Sequence, residues 1–253
     1  MTSRTTHEFD GQHFDGRQVI FTFGSNLRGQ HSSGTALHAS RHFGAQAGIG
    51  RGPTGNAYAI PTRFASSLDM PLDAVLHEIG RFLEYAREHS STLFLINRIG
   101  ASSEGQEHLE RAVRDAFLHA PANCLLPGVW EAMRHPDLVR LIVAGTRHFD
   151  DYALMQEKLD FLLQRYSHIE VISGRSRGAD ALGETYASER NLDICYMPAD
   201  WSGLGRPAGP IRNEFMAWYG THLTAFWDGV SGGTKGMIRL AEQAGLMSRV
   251  IRY

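Results

Sequence analysis

The chain of 253 residues has only two cysteines, Cys124 and Cys195, which lie far apart. Two distant cysteines match neither a disulfide framework nor a thiolate metal site. No apolar run approaches the roughly 18 residues that a membrane-spanning helix needs, and the polar N-terminus lacks a signal-peptide core. We therefore expect a cytoplasmic protein that does not associate with membranes.

Strong charge of either sign is also missing. The formal net charge is −2, and charged residues make up 21% of the chain without a basic run. A near-neutral chain of this kind argues against a dedicated nucleic-acid surface, so nucleic acid is not an expected partner. The apolar fraction of 42% is sufficient for a packed globular core.

Short apolar runs alternate with amphipathic segments, and in the C-terminal half the strand-like runs are continuously apolar. Continuously apolar strands are typical of a parallel sheet with helices on both faces. The expected fold class is therefore α/β, with a doubly wound parallel sheet in the second half. The polar segment 131–139 suggests a domain boundary. The predicted division is a polar N-terminal arm over 1–17, one domain over 18–134 and another over 135–253.

Glycine-rich turns that follow apolar runs and precede helical ones are the most informative segments. They are SGRSRGAD at 173–180, DGVSGGTKGMI at 228–238 and FGSNLRGQHSSGTA at 23–36. Such turns present backbone N–H groups at the positive end of a helix, where phosphate binds. The carboxyl ends of parallel strands are also where ligands bind in open α/β sheets. The pattern predicts a binder of phosphorylated, nucleotide-derived small molecules.

In the C-terminal half, five polar turns are expected along one edge of the sheet. Their arginines match phosphate geometry, their aspartates can bind ribose hydroxyls, and Trp201 can stack on a base. The predicted ligand-binding residues here are Gly145, Arg147, Ser173, Gly174, Arg177, Gly178, Asp180, Asp200, Trp201, Arg212, Asn213, Asp228, Ser231, Gly232, Gly233 and Thr234.

The segments GTRHFDD, SGRSRGADALGETYA, PADW, AGPIRNEFM and FWDGVSGGT occur in this order between about Leu138 and Tyr253. In this respect the chain resembles the YspA-like branch of the SLOG superfamily, a Rossmann-like group that also contains the DprA proteins and the LOG phosphoribohydrolases. The resemblance implies binding of nucleotides and of NAD- or ADP-ribose-derived ligands. LOG enzymes hydrolyse N-glycosidic bonds with a glutamate shortly after the second glycine-rich turn. If that turn corresponds to Gly233 and Thr234, Met237 stands at the glutamate position, so the resemblance implies binding more strongly than hydrolysis.

The N-terminal half offers a similar set of strand ends and small-residue loops, and INRIGASSEG adds Ser102 and Ser103 before a helix predicted over 105–120. The motifs FGSN, YAIPT and RIG, between about Val19 and Trp130, resemble a phage-associated macro-like family. That resemblance implies an α/β/α domain that binds ADP-ribose. The predicted ligand-binding residues of this half are Gly24, Ser25, Asn26, Ser32, Ser33, Gly34, Arg98 and Gly100.

Both resemblances imply one ligand chemistry, ADP-ribose and its relatives, with no required cofactor. The leading hypothesis is a sensor or sequestering protein for such a nucleotide in bacterial or phage conflict signalling, which rests partly on analogy of fold. The alternative is a hydrolase of ADP-ribose conjugates or of nucleotide N-glycosidic bonds, with Asn26, His31 and Asp180 as candidate catalytic residues. A DNA-binding module, by analogy with DprA, is a third hypothesis that the near-neutral charge opposes.

Two further expectations concern metal and assembly. His38 and His42 are four residues apart on a predicted helix, a spacing that can chelate metal, but the sequence offers no third ligand. No metal site is therefore predicted. Relatives in the SLOG superfamily commonly pair through helices next to the site, so the resemblance implies a homo-oligomer, either a dimer or a tetramer.

Overall fold

The computed structural model describes residues 4–101 and 107–253. Ser102, Ser103 and the start of the helix predicted over 105–120 lie outside these residues. Within them the chain is α/β, with nine helices and two sheets in which neighbouring strands are mostly parallel. It divides into two compact units, a larger one of Met1–Gly16 with Gly128–Tyr253 and a smaller one of Arg17–Pro127. The expected domain limits after residues 17 and 134 remain a prediction from the sequence.

The larger unit is built on a six-stranded sheet in which every pairing is parallel. With strands numbered along the whole chain, their order is β1-β11-β10-β9-β12-β13. The direction in which the chain crosses the sheet reverses between β9 and β12, and open α/β sheets leave a crevice at such a point. The strands are β1 (Thr6–Glu8), β9 (Leu138–Gly145), β10 (His168–Ser173), β11 (Asp193–Tyr196), β12 (His222–Trp227) and β13 (Met247–Arg252).

The central strands of this sheet are apolar on both faces, as the sequence pattern predicted. Leu141, Ile142 and Val143 follow one another in β9 and are all buried, which requires helices on both sides of the sheet. The helices of this unit are α4 (Gly128–Arg134), α5 (Tyr152–Leu163), α6 (Ala179–Glu189), α7 (Trp201–Leu204), α8 (Ala208–Tyr219) and α9 (Gly232–Ala244).

Close packing of α6 on β9 depends on a buried helical glycine. A Cβ atom at Gly183 would lie 2.8 Å from Cβ and 2.9 Å from Cγ1 of Val143. Those distances are far below van der Waals contact, so the helix can approach the strand this closely only without a side chain. The same packing sets the position of the first turn of α6 at the carboxyl edge of the sheet.

We expect Gly183→Ala to destabilise the larger unit by roughly 1–3 kcal/mol, because overpacking against Val143 exceeds the gain in helix propensity. The measurement is the free energy of unfolding in urea. Gly236→Ala in α9 is the matched control, because no atom lies within 4 Å of a Cβ at that position. Equal stabilisation by both substitutions would contradict the packing argument.

The smaller unit contains a mixed sheet of order β4-β5-β3-β7-β8, with β6 beside β5. The pairings among β3, β5, β7 and β8 are parallel, whereas β4 and β6 run antiparallel to β5. Phe21, Phe82, Phe94 and Phe117 are fully buried in its core. The elements are β3 (Arg17–Asn26), α1 (Gly34–His42), β4 (Gly52–Thr54), β5 (Ala57–Ala65), β6 (Leu68–Asp69), α2 (Leu72–Glu88), β7 (Leu93–Ile96), α3 (Glu107–Phe117) and β8 (Cys124–Leu125).

The segment expected to be a polar arm over residues 1–17 contains two short strands within its described residues. Strand β1 extends the sheet of the larger unit, a second short strand, β2, covers His13–Phe14, and Phe9 and Phe14 are buried. The segment is ordered by partners far away in the sequence, which a local polar pattern does not reveal.

None of the helices in the described ranges has both the length and the apolar character needed to cross a bilayer.

Candidate functional site

A cavity of about 650 Å³ lies at the carboxyl ends of β9 and β12, where the strand order reverses. Its walls come from the ends of β9 and β12, the first turn of α6, and parts of α7, α8 and α9. Most residues predicted for the C-terminal half meet here. Those that line the cavity are Gly145, Arg147, Asp180, Trp201, Arg212, Asn213, Asp228, Ser231, Gly232, Gly233 and Thr234.

Other predicted residues do not line this cavity and instead hold the surrounding turns. The buried Ser173 hydroxyl donates to Oε1 of Glu184 at 2.6 Å. Gly178 has a φ of +77°, and the carbonyl oxygen of Thr146 occupies the place of a Cβ atom. Asp200 caps α7 by accepting the N–H of Gly203 at 2.8 Å. The remaining predicted residues outside the lining are Gly174 and the exposed Arg177.

Arg212 of α8 is held in the cavity wall by several hydrogen bonds within the protein. Its guanidinium donates to the carbonyl oxygen of Gly174 and, at 3.4 Å, to that of Met197, and its Nε donates to Oδ1 of Asn213 at 2.9 Å. The guanidinium fills the space that a side chain at Gly174 would need. Burial lowers the pKa of Arg212, while the nearby Asp180 carboxylate opposes that shift.

Asp180 lies in the first turn of α6 and is only 5% exposed. Burial raises its pKa to about 6, and the positive charge of Arg212 together with the backbone N–H of Ser176, at 3.4 Å, works in the opposite direction. A carboxyl group that titrates near neutral pH within a cavity can exchange a proton with a ligand. Among the three candidate catalytic residues, Asp180 is the one that borders this cavity.

We expect Asp180→Asn to become more stable relative to the wild type as the pH rises. Burial raises the pKa of Asp180 from 3.8 in an unfolded chain to about 6, so the wild type is increasingly penalised between those two pH values. Unfolding free energies measured from pH 4.5 to pH 7 should diverge by about 2 kcal/mol. Asp228→Asn is the control, because its pKa is lowered and it stays ionised over this range. Parallel curves for Asp180→Asn and the wild type would contradict the burial argument.

The turn between β12 and α9 is fixed by its own side chains. Oδ1 of Asp228 accepts the N–H groups of Val230 at 2.9 Å and Ser231 at 2.8 Å, which lowers the pKa of Asp228. Ser231 caps α9, with its Oγ accepting from the hydroxyl of Thr234 at 3.1 Å and from the N–H of Thr234. The start of α9 therefore has a defined position at the edge of the cavity.

Three glycines of α9 that line the cavity, Gly232, Gly233 and Gly236, have no structural requirement for glycine. None has a positive φ, and no atom lies within 4 Å of the Cβ position of any of them. Glycine inside a helix costs about 1 kcal/mol relative to alanine. Helix stability therefore does not explain them, whereas an uncovered backbone at the cavity surface does.

Apolar side chains form part of the cavity mouth. Trp201 is 55% exposed and Val230 is 84% exposed, although both line the cavity. The indole of Trp201 lies over Gly209, where an added Cβ would be 3.1 Å from Cη2. Exposed aromatic surface next to polar groups is typical of small-molecule sites.

Sequence reasoning missed several lining residues. Thr146 follows the predicted Gly145, and Gly209 and Glu214 flank the predicted Arg212 and Asn213, so each stood within or beside a motif that was already recognised. Gly236 and Arg239 follow the last predicted turn on the same helix. They lie four and seven residues after Gly232 and therefore share its face of the helix, a spacing that could have identified them.

The smaller unit has its own cavity, of about 290 Å³, at the carboxyl ends of β3 and β5 and beside the start of α1. All the ligand-binding residues predicted for the N-terminal half line it. They are Gly24, Ser25, Asn26, Ser32, Ser33, Gly34, Arg98 and Gly100.

The Asn26 and Arg98 side chains already have partners within the protein. Asn26 Oδ1 accepts the N–H groups of Arg28 at 3.1 Å and Gln30 at 3.2 Å, so its amide holds the loop that follows β3. The Arg98 guanidinium pairs with Oε1 of Glu110 at 2.6 Å. The geometry thus gives both residues a structural role at the cavity wall.

His31, a candidate catalytic residue, does not line this cavity. It is buried with its ring edge-on to Phe23, at 5.2 Å between centroids, and burial lowers its pKa. His38 and His42 lie 4.6 Å apart between ring centroids. Over residues 4–101 and 107–253, no group of three or more His, Cys, Asp or Glu side chains is arranged to hold a metal ion.

The geometry defines an α/β protein whose crevice lies where the strand order reverses. Comparison with known families adds that the model of the YspA, cpYpsA-related SLOG family matches residues 139–203, which run from β9 to α7. The match supports a SLOG-type C-terminal region and is compatible with nucleotide-related ligands. No curated protein matches the chain. The macro-like resemblance between Val19 and Trp130 remains a prediction.

Proposed function

We propose that the larger unit binds ADP-ribose or a related NAD-derived nucleotide in the cavity between β9 and β12. The diphosphate would lie on the N–H groups at the start of α9. The observation that carries this proposal is the set of uncovered helical glycines, Gly232, Gly233 and Gly236, which leave that backbone open to the cavity. Backbone N–H groups at a helix N-terminus favour anions through hydrogen bonds and the helix dipole.

Three arginines around the cavity support the same ligand. Arg147, Arg212 and Arg239 all line it, and Arg147 contributes to the lowered pKa of Arg212 through charge repulsion. A bound diphosphate would relieve this repulsion and offer both guanidinium groups a partner. Arginine suits such a role because its planar fork matches phosphate oxygens.

The cavity mouth supports a ligand with a base. Trp201 and Val230 offer exposed apolar surface on its rim, on which a purine ring would be shielded from water. The volume of about 650 Å³ falls within the range of small-molecule sites, about 300–1,000 Å³. A nucleotide with a base at the mouth and a diphosphate on α9 combines both features.

The test is isothermal titration of the wild type with ADP-ribose, NAD and AMP, followed by Gly236→Ala. We expect this substitution to stabilise the protein by roughly 0.5–1 kcal/mol, because it removes a helical glycine from open space. We expect it also to weaken ADP-ribose binding about tenfold, because the new methyl group takes up space at a position that lines the cavity, one turn after the N–H groups proposed to meet the diphosphate.

Gly80→Ala in α2 is the matched control for that experiment. Gly80 is also helical, and no atom lies within 4 Å of its Cβ position, but it does not line this cavity. We expect a similar gain in stability and unchanged binding. If no nucleotide binds the wild type, or if both alanine variants bind alike, the proposed site is wrong.

A second candidate function, hydrolysis of a nucleotide N-glycosidic bond or of an ADP-ribose conjugate, is favoured by Asp180. This buried carboxyl group, with a pKa raised to about 6, borders the cavity next to Arg212. Incubation of AMP and of an ADP-ribosylated peptide with the protein, followed by mass spectrometry, separates the two functions. A sensor or sequestering protein returns both compounds intact. A hydrolase splits AMP with water into adenine and ribose 5-phosphate, or releases ADP-ribose from the peptide, and loses this activity in Asp180→Asn.

We extend the proposal to the smaller unit, whose cavity of about 290 Å³ is lined by serines and glycines beside α1. A role as sensor or sequestering protein in bacterial or phage conflict signalling, and assembly as a homo-oligomer, remain proposals. Light scattering coupled to size-exclusion chromatography, with and without ADP-ribose, measures the oligomeric state.

A further inference from the structure

Residues 5–15, here called the N-terminal strap, run along β11 in the larger unit and include the edge strand β1. The N–H of Ile194 donates to the carbonyl oxygen of Thr5 at 3.0 Å, and the N–H of Phe9 donates to that of Tyr196 at 2.9 Å. The strap then folds back on itself, because the N–H of Asp15 donates to the carbonyl oxygen of Glu8 at 2.8 Å. Backbone hydrogen bonds therefore fix the strap both to β11 and to itself.

Aromatic side chains attach the strap to α8. Phe9 is 4% exposed and meets the ring of Phe215 edge-on, with centroids 4.9 Å apart. Phe14 packs against Tyr219 at 5.9 Å between centroids. Phe215 and Tyr219 are four residues apart and so share one face of α8. The turn of the strap approaches the same face, since a Cβ at Gly11, where φ is +98°, would lie 3.4 Å from Phe215.

The two elements held by the strap are two of the three segments that meet at the Arg212 guanidinium, the third being the end of β10. Arg212 belongs to α8 and lies one turn before Phe215. One of its acceptors is the carbonyl of Met197, the residue after Tyr196, to which the strap is bonded. A shift of α8 relative to the end of β11 would therefore move the guanidinium away from that acceptor.

We propose that the N-terminal strap is a positioning element for Arg212, so that anion binding in the cavity depends on residues outside its lining. Phe9 is the positioning residue on which this depends most, through its contact with Phe215. The ligand part of this inference rests on the proposed function, whereas the effect on α8 does not. The competing explanation is that the strap only covers the edge of the sheet and contributes stability.

The experiment uses the full chain with Phe9→Ala and, as matched control, Phe161→Ala, which removes a phenyl group that is 69% exposed on α5. Hydrogen–deuterium exchange without ligand reports on α8 directly. We expect faster exchange of amides in residues 209–216 in Phe9→Ala by about tenfold or more, and no change there in Phe161→Ala. Unchanged exchange in Phe9→Ala overturns the proposal. Phe9→Leu, which keeps apolar volume, is measured in the same way if Phe9→Ala does not fold.

ADP-ribose affinity separates positioning from stability alone. We expect Phe9→Ala to weaken binding about fivefold in the wild-type background and to cause no further loss once Arg212→Gln is present. Equal losses in both backgrounds would mean that the strap does not act through Arg212. If the wild type binds no ADP-ribose, the proposed function fails, whereas the exchange experiment still tests the effect of the strap on α8.

Discussion

The buried guanidinium of Arg212 joins three chain segments around the cavity. From α8 it reaches the carbonyl oxygens of Gly174, after β10, and Met197, after β11. A buried cation is tolerated only where hydrogen bonds and opposite charge compensate its lost hydration, and the Asp180 carboxylate supplies part of that charge. The segments must therefore keep their relative positions, and the wall of the cavity is set before any ligand arrives.

Glycine has two opposite roles around this wall. At Gly145, Gly174 and Gly183 the space of a side chain is already occupied, by the carbonyl of Phe226, by Arg212 and by Val143 respectively. These glycines are explained by packing. In α9 the space next to glycine is open, and helix stability argues for alanine. A ligand-binding role is therefore inferred only from the glycines of α9, which packing does not explain.

The sequence predicted the architecture of the larger unit well because its central strands are buried on both faces. Such strands are recognisable as continuous apolar runs, and small residues at their ends marked the edge where the cavity lies. Gly145, Asp180 and Arg212 could thus be placed near one another without any coordinates.

Local sequence patterns do not reveal the features that distant contacts decide. Phe9 and Phe14 stand in a polar segment, and their burial depends on Phe215 and Tyr219, some two hundred residues later. Local patterns also do not show which side chains are already hydrogen-bonded within the protein. The Asn26 amide closes its own loop, and Ser173 hydrogen-bonds to Glu184 instead of facing the cavity. Residue type and strand position predict which groups gather at an edge, but not which of them remain available to a ligand.

The central claim is that uncovered backbone at the start of α9 receives a diphosphate. A crystal structure of the protein with ADP-ribose tests it most directly. The account predicts diphosphate oxygens at hydrogen-bond distance, about 2.7–3.2 Å, from the N–H groups of Gly232 or Gly233, with a guanidinium on the opposite side. A nucleotide bound elsewhere, or bound in this cavity with its diphosphate directed away from α9, would contradict it.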